Sequence, residues 1–268
     1  MEKEIRRHFS KIGFAYLAGS IVIYAVQFLA AMVGKKFVPA VMADANGSFI
    51  VLMLTYGISM PFMGWLVSRV PAQKIEGRKM TAGQWIIAFL MCYGLMYAGN
   101  LIGTALTFGI GMVKGTGVDN PLVSTVMQLN PWVTFVIAVL IVPTAEELLF
   151  RKLLTERIVK YGELPAVLAS GLFFGLFHGN LNQFSYAFLL GLFLGFIYVK
   201  TGKLGYTIGL HMAVNFIGSS LGTWMLRVTG YMDTMETLTK FLNTKDLTVL
   251  ADLGNGIVGM FIFGSYAS

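Results

Sequence analysis

The chain has little charge. Of its 268 residues only 12% are Asp, Glu, Lys or Arg, while 56% are hydrophobic. A soluble globular domain carries about 25% charged residues, so the deficit excludes an ordinary soluble fold. Cysteine is almost absent: Cys92 stands alone, no intrachain disulfide can form, and redox compartment cannot be read from the composition. Histidine is scarce, with three residues in all. Several catalytic signatures are missing too. There is no His-Glu-x-x-His zinc helix, no Gly-x-Ser-x-Gly nucleophile elbow and no phosphate-loop spacing among the scattered glycines. Ser170 and Ser185 have no histidine at a telling spacing. No internal repeat or low-complexity tract divides the chain, so 1–268 reads as a single integral membrane domain.

What is present is a series of apolar runs at about 12–33, 49–67, 84–110, 131–150, 164–179, 184–199, 204–226 and 254–268. Several approach the roughly 20 residues needed to cross about 30 Å of hydrocarbon. The expected fold is all-α, a polytopic transmembrane bundle of about eight helices. The run at 254–268 is the weakest of them, and 227–253 reads as a polar loop or surface helix. The N-terminus is charged and leads into a long run, so the first span is expected to be retained rather than cleaved. The net charge of +7 is not a nucleic-acid footprint, because the basic residues lie in short clusters between apolar runs. Those at 3–11, 69–79, 151–160 and 200–203 fall on one side of the membrane when the spans are laid out, which predicts a cytoplasmic N-terminus.

Within this apolar background a few polar residues stand out. Glu146 and Glu147 close a run that is otherwise apolar from Trp132, and they are the only acids of thirteen placed at bilayer depth. Ionisable groups there cost at least a few kcal/mol and mark function by default. His178 and His211 also fall in hydrophobic runs. Spans four and five form a hairpin turning near Gly162, with Glu146 sixteen residues before it and His178 sixteen after. Two antiparallel helices would bring both to one height. His211 and Asn215 are four apart and share a face, as do Phe174 and His178. Adjacent glutamates point about 100° apart, so their roles differ. Glu147 has the favoured spacing for an ion pair with Arg151, which leaves Glu146 to face the cluster. A salt network of both acids with Arg151 and Lys152 is the bland alternative. Pro61 and Pro143 lie inside spans and are expected to kink them. Gly191 and Gly195 form a small-xxx-small pair suited to close helix contact.

Three motifs in order carry a family resemblance: Glu146-Glu147-Leu148-Leu149-Phe150-Arg151, Phe174-Gly175-Leu176-Phe177-His178, and His211-Met212-Ala213-Val214-Asn215. Over about residues 130–220, the expected catalytic core, the chain resembles the CPBP family, the CAAX-protease and bacteriocin-processing (Abi) intramembrane proteases. The resemblance implies a helical bundle in a cell membrane, bacterial in this reading. It implies an endopeptidase acting on a membrane-associated, prenylated or leader-bearing peptide, with lipids as neighbours and no nucleic acid. Glu146 is then the base that activates water, His178 helps to position it, and His211 and Asn215 receive the oxyanion. Glu147, Arg151 and Phe174 support them. No cofactor is expected. The alternative is a zinc protease with Glu146, His178 and His211 as ligands. Outside proteolysis, a proton-relay transporter or a bacteriocin-immunity protein that keeps the pocket without cutting are the competing readings.

Overall fold

A computed structural model describes residues 2–43, 45–115 and 130–224. They form eight helices, with no strand among the described residues: α1 (Glu2–Phe37), α2 (Pro39–Met42), α3 (45–68), α4 (Ala82–Lys114), α5 (Pro131–Tyr161), α6 (Glu163–Phe177), α7 (Leu181–Thr201) and α8 (204–224). The protein is an integral membrane helical bundle. Five helices, α1, α3, α4, α5 and α7, are long and apolar enough to span a bilayer, while α6 is shorter. The number eight is reached through the one-turn α2. The run at 254–268 and the stretch 227–253 lie outside the described residues.

The two in-span prolines do not simply kink their helices. Each follows a π-helical stretch: Thr55–Ser59 precedes Pro61, and Phe135–Ile141 precedes Pro143. Proline has no N–H to donate and crowds the carbonyl one turn back. A local widening to i→i+5 bonding absorbs that defect, and such widenings often sit at functional sites. A third π stretch, Leu148–Thr155, follows the two glutamates directly. Carbonyls in it are taken up by side chains. Tyr16 of α1 donates to the Leu149 carbonyl at 2.9 Å, and Thr155 donates to the Phe150 carbonyl at 2.9 Å.

Two apolar cores hold the bundle. One joins α1, α3, α5, α6 and α7 through Ile12, Met63, Phe150, Leu154, Phe174 and Ala187. The other joins α4, α7 and α8 through Ala88, Cys92, Leu194 and Leu210. Tyr186 of α7 packs against both. Small residues set the helix spacing. Gly191 and Gly195 of α7 face α6, where an added Cβ would lie 3.0 Å from the Gly171 Cα and the Ser170 Cβ respectively. The α4–α7 approach is closer still. A Cβ at Gly99 would lie 2.4 Å from the Tyr186 Cα, and one at Gly103 would lie 2.3 Å from the Asn182 carbonyl oxygen. Backbone cannot retreat as a flexible side chain can. Gly99→Leu is therefore expected to force α4 from α7 and lower stability by about 1–3 kcal/mol or more. Thermal unfolding in detergent reads this, and an unchanged midpoint would show that the two helices do not bear on each other there.

At the end of the bundle that carries the Gly162 turn, the 69–81 segment crosses α5, α7 and α8. Gln73 N–H donates to the Glu156 carbonyl at 2.6 Å, Arg78 N–H to the Thr201 carbonyl at 2.7 Å, and Met80 N–H to the Tyr206 hydroxyl at 3.1 Å. Gly202 lets it pass: its φ is +60°, and a Cβ would stand 2.5 Å from the Glu76 carbonyl oxygen. Arg157 of α5 reaches across to the Val67 carbonyl at the C-terminal end of α3, at 2.7 Å. The Val67 carbonyl also accepts the Val70 N–H at 3.0 Å, so Arg157 adds a cationic donor at the negative end of the helix dipole.

Candidate active site

The two glutamates are the last residues of the α-helical turn Val142–Glu147 in α5, between the π stretches on either side. Both are buried. Glu147 and Arg151 are wholly buried, at 0% side-chain exposure each, and form a two-pronged ion pair: Arg151 Nε to Glu147 Oε2 at 2.9 Å and Nη2 to Oε1 at 3.1 Å. Arg151 Nη1 donates to Ser170 Oγ of α6 at 2.6 Å. The guanidinium carbon also lies 4.9 Å from the centre of the Phe174 ring. Bidentate pairing and a complete set of partners are what make a desolvated ion pair tolerable.

Glu147 does more than hold Arg151. Its Oε1 also accepts from His211 Nδ1 at 3.0 Å. The sequence reading turned Glu147 away from the cluster; the structure has both glutamates reaching His211, because one carboxylate oxygen serves the arginine and the histidine together. The bond fixes the ring: Nδ1 carries hydrogen, since the ion-paired carboxylate only accepts. Nε2 then points toward Glu146, whose Oε2 lies 3.8 Å away, too far for a direct hydrogen bond. The other oxygen of Glu146, Oε1, accepts from the Tyr56 hydroxyl of α3 at 2.6 Å.

Phe174 of α6 is the hub between the histidines. Its ring stands edge-on to His178 at 5.1 Å and to His211 at 5.6 Å between centroids. His178 is not inside a helix, as the apolar run predicts, but is the first residue past α6. Gly179 at φ +71° turns the chain there, and Asn180 caps α7 by accepting from the Gln183 N–H at 2.8 Å. His178 Nδ1 donates to the Phe174 carbonyl at 2.9 Å, one of the acceptors that the helix end leaves open, so its Nε2 is unengaged by that bond. Asn215 of α8 donates from Nδ2 to the Ala138 carbonyl at 2.9 Å, within the π stretch before Pro143. The structure thus joins Glu147, Arg151, Phe174, His178 and His211 through direct contacts, sets Glu146 across 3.8 Å from His211, and ties Asn215 to the same helix two turns before the glutamates.

Two participants were not picked out from the sequence. Ser170 has no histidine at a telling spacing in the sequence, and in the fold its partner is Arg151. Tyr56 lies in a span with no motif, and the only cue is a phenol whose polar tip needs a partner in an apolar run. As for a metal, the alternative zinc set needs Glu146, His178 and His211 to converge. Among the described residues no three His, Cys, Asp or Glu side chains are grouped to hold one ion.

A membrane-embedded helical bundle with carboxylates, imidazoles and a buried guanidinium in one cluster has the makings of a hydrolase. Residues 128–217 match the family model for type II CAAX prenyl endopeptidases, Rce1-like, and all three motifs lie inside that stretch. This segment is similar to Rce1-like domains, in accord with the resemblance read from the motifs, and that family is one of peptide hydrolases. No curated protein and no solved structure matches the chain.

Proposed function

We propose that the protein is a glutamate-dependent intramembrane endopeptidase that works without a metal. The observation that carries this reading is the pair formed by Glu146 Oε2 and His211 Nε2, which face each other across 3.8 Å with His211 anchored from behind by Glu147. Such a gap suits a water that gives a proton to Glu146 and keeps a lone pair for attack, with the His211 ring beside the oxygen that becomes charged. Glu146 takes one proton as the water oxygen bonds to the peptide carbonyl carbon. The carbonyl π pair becomes the oxyanion. As the tetrahedral intermediate collapses, the C–N bond breaks and the proton passes from Glu146 to the leaving nitrogen.

The surrounding residues have distinct parts. His211 Nε2 donates to the oxyanion only when the ring is protonated, because Nδ1 already holds a hydrogen. The Glu147 carboxylate stabilises that imidazolium, as the buried acid of a serine-protease triad stabilises its histidine. Asn215 keeps one amide hydrogen beyond the one given to Ala138 and supplies a neutral donor. An oxyanion donor of this kind is worth roughly 3–4 kcal/mol in the transition state. His178, with Nδ1 tied to a backbone carbonyl, offers Nε2 to orient the water. His178→Ala is accordingly expected to lower kcat by about 10²-fold with little change in melting temperature.

The substrate in this reading is a membrane-associated peptide, prenylated or leader-bearing, reaching the site from the cytoplasmic side. The family match supports a peptide substrate, and the clustered basic segments between the apolar runs support that orientation. Cleavage of paired peptides of one sequence, with and without a prenyl group, tests the class. Faster turnover of the lipidated form supports it, and equal turnover would point to leader-type substrates instead. Each assay run with a strong chelator tests the metal-free chemistry: activity is expected to persist, whereas loss restored by zinc would overturn it.

A further inference from the structure

We infer that Tyr56 is a positioning residue for Glu146, so that the base is set by a helix outside the matched domain. This rests on the proteolytic reading above. The Tyr56 hydroxyl lies 2.6 Å from Glu146 Oε1, a short contact of the kind made to an ionised acceptor. A glutamate carboxyl rotates broadly about its last torsion, so a buried one with a single firm donor takes its orientation from that donor. Here the donor grips Oε1 and leaves Oε2 turned to His211 Nε2. Among the described residues no other hydrogen bond to Glu146 holds that face.

The local fold of α3 fixes the phenol. Tyr56 sits in the π-helical turn Thr55–Ser59, just ahead of Pro61. Its neighbour Thr55 is buried, donates to the Val51 carbonyl at 2.9 Å and accepts from Gln27 of α1 at 3.3 Å. The Tyr56 ring itself packs on the core shared by α1, α3, α5, α6 and α7. The widened turn required by Pro61 is therefore pinned from two sides, and the hydroxyl it carries has one place to go. This gives α1 and α3 a part in the chemistry that the three motifs alone do not show. Tyr56 need not touch substrate; it acts through Glu146.

The test is steady-state cleavage by full-length protein carrying Tyr56→Phe, Glu146→Asp, and both. Losing a hydrogen bond to an ionised group is expected to lower kcat by about 10- to 100-fold in Tyr56→Phe. KM should stay near wild type, because the substrate loses no contact. Glu146→Asp withdraws the carboxylate by one methylene, out of the phenol's reach, so adding Tyr56→Phe to it should cost no more than about twofold. Wild-type kcat in Tyr56→Phe would overturn the assignment, as would the same fold-loss in both backgrounds. A lowered melting temperature with unchanged kcat would also overturn it, leaving Tyr56 a packing residue. If the wild-type protein cleaves nothing, the proteolytic reading itself fails and this assignment with it.

Discussion

Replacing Glu146 with glutamine is expected to lower kcat by about 10²–10⁴-fold and leave the protein folded. Glutamine keeps the shape of glutamate, and its amide oxygen can still accept from the Tyr56 hydroxyl that now bonds Oε1. What it lacks is the ability to take a proton from water. The substitution therefore separates chemistry from structure at a position where burial would otherwise confuse them. Peptide cleavage and thermal unfolding in the same detergent check both halves. A variant that cleaves at the wild-type rate would remove Glu146 from the role of base.

The second large effect is on stability. Arg151→Met leaves the Glu147 carboxylate wholly buried without its ion-pair partner, and takes a donor from Ser170. Breaking a buried pair from one side costs roughly 3–5 kcal/mol, since the survivor stays desolvated and uncompensated. A fall of that size, seen as a lower midpoint or loss of folded protein, is expected for Arg151→Met and for Glu147→Met alike. The double variant should recover much of the stability, because the penalty lies in the orphaned charge and not in the missing attraction. It should not recover activity, because His211 then has no acceptor at Nδ1 to hold its ring. Restored turnover in the double variant would show that Glu147 serves only as a counter-ion to Arg151. Equal stability of single and double variants would show that the pair is not desolvated in the membrane.

The apolar runs were legible because crossing a bilayer demands length and hydropathy over many residues, a signal that one substitution does not erase. The Glu147–Arg151 pair was legible as well, since its spacing of four is local to one helix. Helix ends were harder. His178 reads as part of a span because Leu176 and Phe177 precede it, yet Gly179 at positive φ stops the helix one residue earlier. Pro61 and Pro143 announced a backbone defect but not its form. Whether a proline kinks a helix or widens it depends on what its surroundings offer the displaced carbonyls, and ahead of Pro143 the Ala138 carbonyl is taken by Asn215, which is 77 positions away in sequence. Tyr56 was invisible for the same reason. Its partner is ninety residues away, and a tyrosine in a membrane span has many ordinary uses. The bond from Glu147 to His211 across 64 positions shows the limit of helical phase alone, because a carboxylate has two oxygens and can serve two directions at once.

The most direct test of the central claim is cleavage of a quenched peptide library by the purified full-length protein in detergent, with wild type and Glu146→Gln side by side and a strong chelator in half of the reactions. The account predicts cleavage by wild type that survives the chelator and disappears in the variant. No cleavage by wild type, or cleavage that persists in Glu146→Gln, would contradict it.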